Sequence, residues 1–211
     1  MKIHSLALFL LFISHTLPGQ DTSRWSITPT LIGGIFPQYE YDLKEYNPLL
    51  IPYIPFSKGG FYGELRYNYD RNGTLGIYGG RSWSYGKNAV QLLTPQAGIL
   101  VGDYRGISFQ LYYSVIHRAI EFNFTNQYSW IFNNRPDFYF NWSDLQFPVL
   151  KVWRIGLSTQ IFADNTIRTY DLGPMAGFRK NSWYAMVTLF NPWKWDKHFL
   201  FFAIQKQIYL K

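Results

Sequence analysis

The sequence predicts an all-β fold: a single antiparallel up-and-down transmembrane β-barrel of about ten strands. Three observations predict it. Apolar and polar residues alternate with period two in segment after segment. Tight turns and longer connections follow one another between those segments, as they do in a meander closed on itself. Aromatic residues make up 20% of the 211 residues while charged residues make up only 16%, an unusual balance for a domain that faces water on all sides.

The length suits one domain, and no linker divides it. At the N-terminus Lys2 precedes an apolar run from Leu6 to Ile13, with the small Gly19 before a polar stretch. This is the pattern of a cleaved secretory signal peptide over 1–19, leaving 20–211 as the barrel domain. The apolar run is shorter than the roughly 20 residues a spanning helix needs.

The first strand is expected near 25–36, where Trp25, Ile27, Leu31 and Ile35 interleave with Ser26, Thr28, Thr30 and Gly34. The second, near 60–69, sets Phe61, Gly63, Leu65 and Tyr67 against Tyr62, Glu64, Arg66 and Asn68. Further strands follow near 74–85, 92–101 and 106–117. In the last of these, Ile107, Phe109 and Leu111 alternate with Ser108, Gln110 and Tyr112. The next is 137–147, whose period slips between Trp142 and Leu145 as a bulge would cause; an eight-stranded barrel is the alternative if this segment is not a strand. Strands near 152–163, 169–179, 183–191 and 199–209 complete the set. The short turns at 70–73, 102–106, 147–151 and 179–182 are assigned to the periplasmic end. The longer connections at 37–59, 86–91, 118–136, 164–168 and 192–198 are assigned to the outside, and both chain ends fall on the periplasmic side.

Alternation does not say which face is which, because exchanging inside for outside leaves it unchanged. Two features decide. Tryptophan and tyrosine gather at strand ends (Trp25, Trp83, Tyr85, Trp142, Trp153, Trp183, Tyr184, Trp193, Trp195), where the girdles of a lipid-facing band belong. The polar face is Ser, Thr, Gly, Gln and Asn rather than Lys and Glu, as suits a crowded interior. Phe61, Leu65 and Tyr67 are thus expected to face lipid, and Glu64 and Arg66 the lumen. Arg154, Asp171 and Arg179 share their inward parity and join them in an expected lumenal polar network. Closure of the sheet then satisfies the backbone within hydrocarbon.

In this layout the chain resembles the small outer-membrane β-barrel proteins of diderm (Gram-negative) bacteria, over essentially all of the mature length. The resemblance implies residence in the bacterial outer membrane and contact with its lipid and lipopolysaccharide. The C-terminal "FLFFAIQKQIYLK" carries Phe202, Ile204, Ile208 and Leu210 in one register, interrupted by Lys206, as an imperfect form of the terminal strand read by the barrel-assembly machinery.

Chemistry-bearing motifs are sparse. There are no cysteines, which excludes disulfides, thiolate metal sites and a lipid anchor on cysteine. After loss of the signal only His117 and His198 remain. Ser114 stands three residues before His117, which on a strand puts the two on opposite faces, so a serine hydrolase with Glu121 as third member is not assembled by parity. No spacing suggests a metal site, no catalytic residue is assigned, and no cofactor is expected. The net charge of +7 becomes 7 − 1 = +6 without Lys2, and the basic residues are scattered rather than forming a nucleic-acid patch. The first long loop carries an apolar patch, Leu49, Leu50, Ile51, Ile54 and Phe56, interleaved with Pro48, Pro52 and Pro55. It is expected to pack against the 118–136 loop with its Phe122, Phe124, Trp130 and Phe132, to touch lipid or to dock an envelope protein. The reading is a non-catalytic structural or partner-docking barrel with a filled lumen. The alternative is a narrow channel for small solutes; a lipid-modifying hydrolase stands third.

Overall fold

The computed structural model describes residues 24–36, 47–195 and 197–210; the expected signal peptide lies outside them. Fifteen strand segments follow in chain order: β1 (Ser26–Ile27), β2 (Thr30–Phe36), β3 (Asn47–Lys58), β4 (Phe61–Tyr67), β5 (Thr74–Arg81), β6 (Trp83–Tyr85), β7 (Val90–Gly102), β8 (Gly106–Ile116), β9 (Glu121–Ile131), β10 (Phe138–Pro148), β11 (Trp153–Asp164), β12 (Arg168–Lys180), β13 (Trp183–Phe190), β14 (Phe199–Lys206) and β15 (Ile208–Tyr209). Three of them, β1, β6 and β15, are short extensions of β2, β5 and β14. The other twelve pair antiparallel with their sequence neighbours around a ring. The ring closes where β14 meets β2, from Leu200↔Ile35 to Gln205↔Thr30. Closure leaves no open edge along the barrel wall.

The fold class is the one read from the sequence, with twelve strands instead of ten. The two additional strands, β3 and β9, lie in segments expected to be loops. In β3, prolines at 48, 52 and 55 mask the period, because a proline in a doubly paired strand forgoes a ladder bond. The strand nonetheless pairs with β2 on one side and β4 on the other. The patch Leu49, Leu50, Ile51, Ile54 and Phe56 is therefore strand wall and not a loop. Leu50 and Ile54 face outward and are exposed, Ile51 points inward and is buried, and Leu49 packs beside it against the lumenal core. In β9, Phe122, Phe124, Tyr128 and Trp130 lie on the outward face, so these aromatics clothe the barrel instead of packing loop against loop.

The missed strands also move the turns. The first inverts the direction of every strand between 60 and 117, and the second restores it. The turns at 68–73 and 103–105 consequently lie at the end away from the termini. The turn at 86–89 lies at the end where the chain begins and finishes. That terminal end carries the connections 59–60, 86–89, 117–120, 149–152 and 181–182. The opposite end carries 68–73, 103–105, 132–137, 165–167 and 191–198, and β2 ends and β3 begins there. Short connections mark the terminal end as periplasmic. At Gly59–Gly60 the φ angles are +59° and +80°, the paired positive values of a two-residue type I′ hairpin that non-glycine residues adopt only with strain.

The segment 138–148 keeps unbroken register with both neighbours, so there is no bulge. Phe138, Phe140, Trp142, Asp144 and Gln146 point inward; the apparent slip arises because the outward set includes Asn141 and Ser143. Of the expected girdle residues, Trp25, Trp83, Trp153 and Trp183 stand on the outside of the terminal end. Lys58 lies 5.6 Å from the centroid of Trp25 and Lys206 5.0 Å from that of Trp183. Trp142 and Tyr184 are not girdle residues: both turn inward, Trp142 against Phe201 at 4.6 Å and Tyr184 to Gln146.

Candidate functional site

The lumen is the concave surface that closure creates, and its two sides differ. On β2, β3, β13 and β14 the inward residues are mainly apolar, with Thr30 and Thr188 as buried exceptions. Ile32, Ile51, Phe190, Phe199 and Phe201 form a buried cluster there, with Met186 and Ala203 against it. On β4, β5 and β8 to β12 most of the inward polar residues are found, in separate clusters from mouth to mouth, with Phe138, Phe140 and Trp142 of β10 among them.

The central cluster forms around Arg66, whose side chain is 1% exposed. Period two sends Glu64 and Arg66 to the same side of β4. The chain then turns at Asn68 (φ +61°) and brings Asp70 back over the barrel interior. All five guanidinium N–H donors are used. Nε donates to Asp70 Oδ2 at 3.0 Å and Nη2 to Asp70 Oδ1 at 2.8 Å. Nη2 also reaches Gln127 Oε1 at 2.8 Å, while Nη1 donates to Gln110 Oε1 at 2.8 Å and Glu64 Oε2 at 3.3 Å. Gln110 Nε2 donates to Glu64 Oε1 at 3.0 Å, and Tyr78 Oη donates to Asp70 Oδ1 at 2.9 Å. The Tyr78 ring lies under the guanidinium at 3.8 Å, a cation–π contact in a desolvated place. Two lumenal glycines make the room. A Cβ on Gly98 would come within 2.4 Å of the Tyr78 ring, and one on Gly76 within 2.4 Å of Asp70 Oδ2.

Toward the periplasmic mouth a second cluster inverts this arrangement. Glu121, at the start of β9, accepts from Arg154 Nε at 2.9 Å and from Arg179 Nη1 at 3.1 Å, and its other oxygen lies 2.9 Å from Arg179 Nη2. Arg154 Nη1 is buried without a partner. Between the two clusters, Asp144 accepts from Ser158 at 2.6 Å and Trp142 at 2.9 Å; Tyr112 and Ser114 both donate to Asn123. At the other mouth Arg71 pairs with Asp164 at 2.8 Å and lies over the Phe162 ring at 3.9 Å.

The five residues expected to share a lumenal network are therefore divided. Glu64 and Arg66 meet each other, and Arg154 and Arg179 meet on Glu121. Asp171 joins neither; it accepts from Asn191 at 2.5 Å. Parity identified the inward side of each strand but missed Asp70, Gln110, Gln127 and Glu121 as the partners. Three of these carry inward parity on their own strands, whereas Asp70 lies in a turn, where parity gives no signal.

The hydrolase constellation is not brought together. Ser114 points inward to Asn123, Glu121 is engaged by two arginines, and His117 sits exposed in the 117–120 turn, its Nδ1 accepting from Ala119 N at 3.3 Å. Among the described residues no group of three or more His, Asp or Glu could hold a metal ion.

No protein-family model and no curated protein matches the sequence. The fold, however, is similar to that of the KdgM porin, with a TM-score of 0.55 at 11% identity over 85% of this chain and 98% of that one. It is also similar to the KdgM porin in complex with disordered oligogalacturonate, with a TM-score of 0.50 at 12% identity over 88% and 99%. A weaker likeness, TM-score 0.39 at 10% identity over 97% and 92%, joins it to the translocator domain of autotransporter NalP from Neisseria meningitidis. At such identities the likeness speaks for the fold, and the chain is a β-barrel of the bacterial outer membrane.

Proposed function

We propose that this barrel is a narrow channel for small polar solutes, constricted at mid-height by the Arg66 cluster. The observation that carries the proposal is the polar ladder along one side of the lumen. It runs from Glu121, Arg154 and Arg179 at the periplasmic mouth, past Asp144 and Asn123, to Arg66 and on to Arg71 and Asp164. A purely structural interior has no need of it, since apolar filling of the kind seen on β13 and β14 stabilises a barrel with fewer desolvated charges. The likeness to a porin supports the same reading.

The lumenal charges also support a solute class. Among the described residues four arginines (66, 71, 154, 179) face six carboxylates (64, 70, 121, 144, 164, 171), a formal balance of 4 − 6 = −2. One of the similar structures holds an oligogalacturonate, a polyanion. This lumen suits neutral or cationic solutes instead, because a low-dielectric passage repels the charge it already carries in excess.

Planar-bilayer recording tests both parts. Small single-channel conductance is expected, with a reversal potential in a KCl gradient of the sign that marks cation preference. Absence of any opening, together with no swelling of liposomes in the smallest sugars, would sink the channel. That result would favour the second reading, a partner-docking barrel with a filled lumen, which the near-complete burial of Arg66 supports.

A further inference from the structure

The outward face of the barrel is apolar at mid-height on nearly every strand. Leu65, Ile77, Ile99, Phe109, Leu172 and Val187 typify it, each standing where hydrocarbon would lie. One patch departs from this. Asn126 is the sixth of the eleven residues of β9, Ser143 the sixth of eleven in β10 and Thr159 the seventh of twelve in β11, so all three sit halfway across. Asn141, paired with Asn126, lies on the same side of the wall but is only 5% exposed, covered by its neighbours. The four are directly cross-paired on adjoining strands, Asn126↔Asn141 and Ser143↔Thr159.

Most of their hydrogen-bonding capacity is consumed locally. Asn141 Nδ2 donates to the Thr125 carbonyl at 2.9 Å, Ser143 Oγ to Asn141 Oδ1 at 3.2 Å and Thr159 Oγ1 to the Ser143 carbonyl at 3.5 Å. Among the described residues the Asn126 carboxamide has no such partner. Lipid tails offer it none, and a free amide in hydrocarbon is costly. Above and below the patch are large rings on the same column of β9: Phe122 and Phe124 stack at 6.5 Å, and Tyr128 meets Trp130 at 4.6 Å. Small polar residues that hydrogen-bond across the contact are what membrane-embedded interfaces carry at their centre.

We infer that this face of β9, β10 and β11 is the interface with a second copy of the chain, the two barrels related by an axis along the membrane normal. The occupant must offer hydrogen-bonding groups at mid-membrane depth. A second copy carries the same four residues at that depth and in the same orientation. A carboxamide both donates and accepts, so Asn126 satisfies the Asn126 of the second copy across a two-fold axis, as self-complementary contacts do.

The chain has no native cysteine, so a single introduced thiol reports one position. Asn126→Cys should form a covalent dimer when outer membranes holding the full chain are oxidised. Leu50→Cys, on β3 five strands from β9 one way around the ring and seven the other, should not. In liposomes, counting photobleaching steps of the labelled protein should show pairs, and Asn126→Leu should weaken pairing roughly three- to fifteenfold while leaving the heat-modifiable gel mobility of the folded barrel unchanged. Single bleaching steps at every protein density would overturn the inference. So would cross-linking at 126 only to a chain of different mass, cross-linking equal at 50 and 126, or pairing indifferent to Asn126→Leu.

Discussion

At the centre of the lumen one arginine is shared by two carboxylates; at the periplasmic mouth one carboxylate is shared by two arginines. The central cluster is sealed, with Arg66 and Glu64 each 1% exposed, and every guanidinium donor finds an acceptor. At the mouth Arg179 remains 38% exposed, and one nitrogen of Arg154 goes unpartnered. Similar chemistry therefore has different consequences. In the sealed cluster no water can replace a lost partner, so each member holds the others in place. At the mouth water reaches Arg179, and its ion pair contributes little beyond setting the local charge, while Arg154 and Glu121 beside it are 11% and 5% exposed.

The largest test of that contrast is Arg66→Leu. It leaves Glu64 and Asp70 buried together without a cation and should cost about 3 to 5 kcal/mol, read as a lowered urea midpoint for the folded barrel. Replacing the trio at once, with Glu64→Gln and Asp70→Asn added to Arg66→Leu, should recover most of the loss, because the stranded charges go as well. A next-smaller effect comes from Gly98→Ala, whose methyl would press on the Tyr78 ring beneath Arg66 and cost up to about 3 kcal/mol, with altered conductance if the cluster is the constriction. Glu121→Gln leaves two arginines facing each other at the mouth. The loss should be about 1 to 2 kcal/mol, and the channel should become less cation-selective as the lumenal balance moves from −2 to −1. The smallest change is Arg179→Gln, expected to cost under about 1 kcal/mol and to be masked by added salt. If Arg179→Gln and Arg66→Leu proved equally damaging, burial would not be what separates the two clusters.

Some of this was legible beforehand. Period two in 61–67 and 107–111 was enough to place Leu65 and Phe109 outside and Glu64 and Arg66 inside, because successive side chains on a strand can only alternate. Two strands escaped notice for opposite reasons: in β3 the prolines disguised a strand as a loop, and in β9 Asn126 interrupted an otherwise plain alternation. The second interruption, with Asn141 and Ser143, also counterfeited a bulge in β10. In β9 and β10 the polar residues belong to the outward side of the wall and say nothing against the strand itself.

The sequence by itself determined the class, an even-stranded closed barrel with an apolar exterior, since period, turn chemistry and aromatic content are local properties. It could not determine which inward charges meet. Arg66 and Gln127 are 61 residues apart, and Glu121 and Arg179 are 58 apart. Their contacts depend on how many strands lie between them and on the stagger with which the sheet closes. Those are properties of the ring as a whole, and a shift of one strand in the count redirects every turn and every cross-lumen pair. Only closure fixed them.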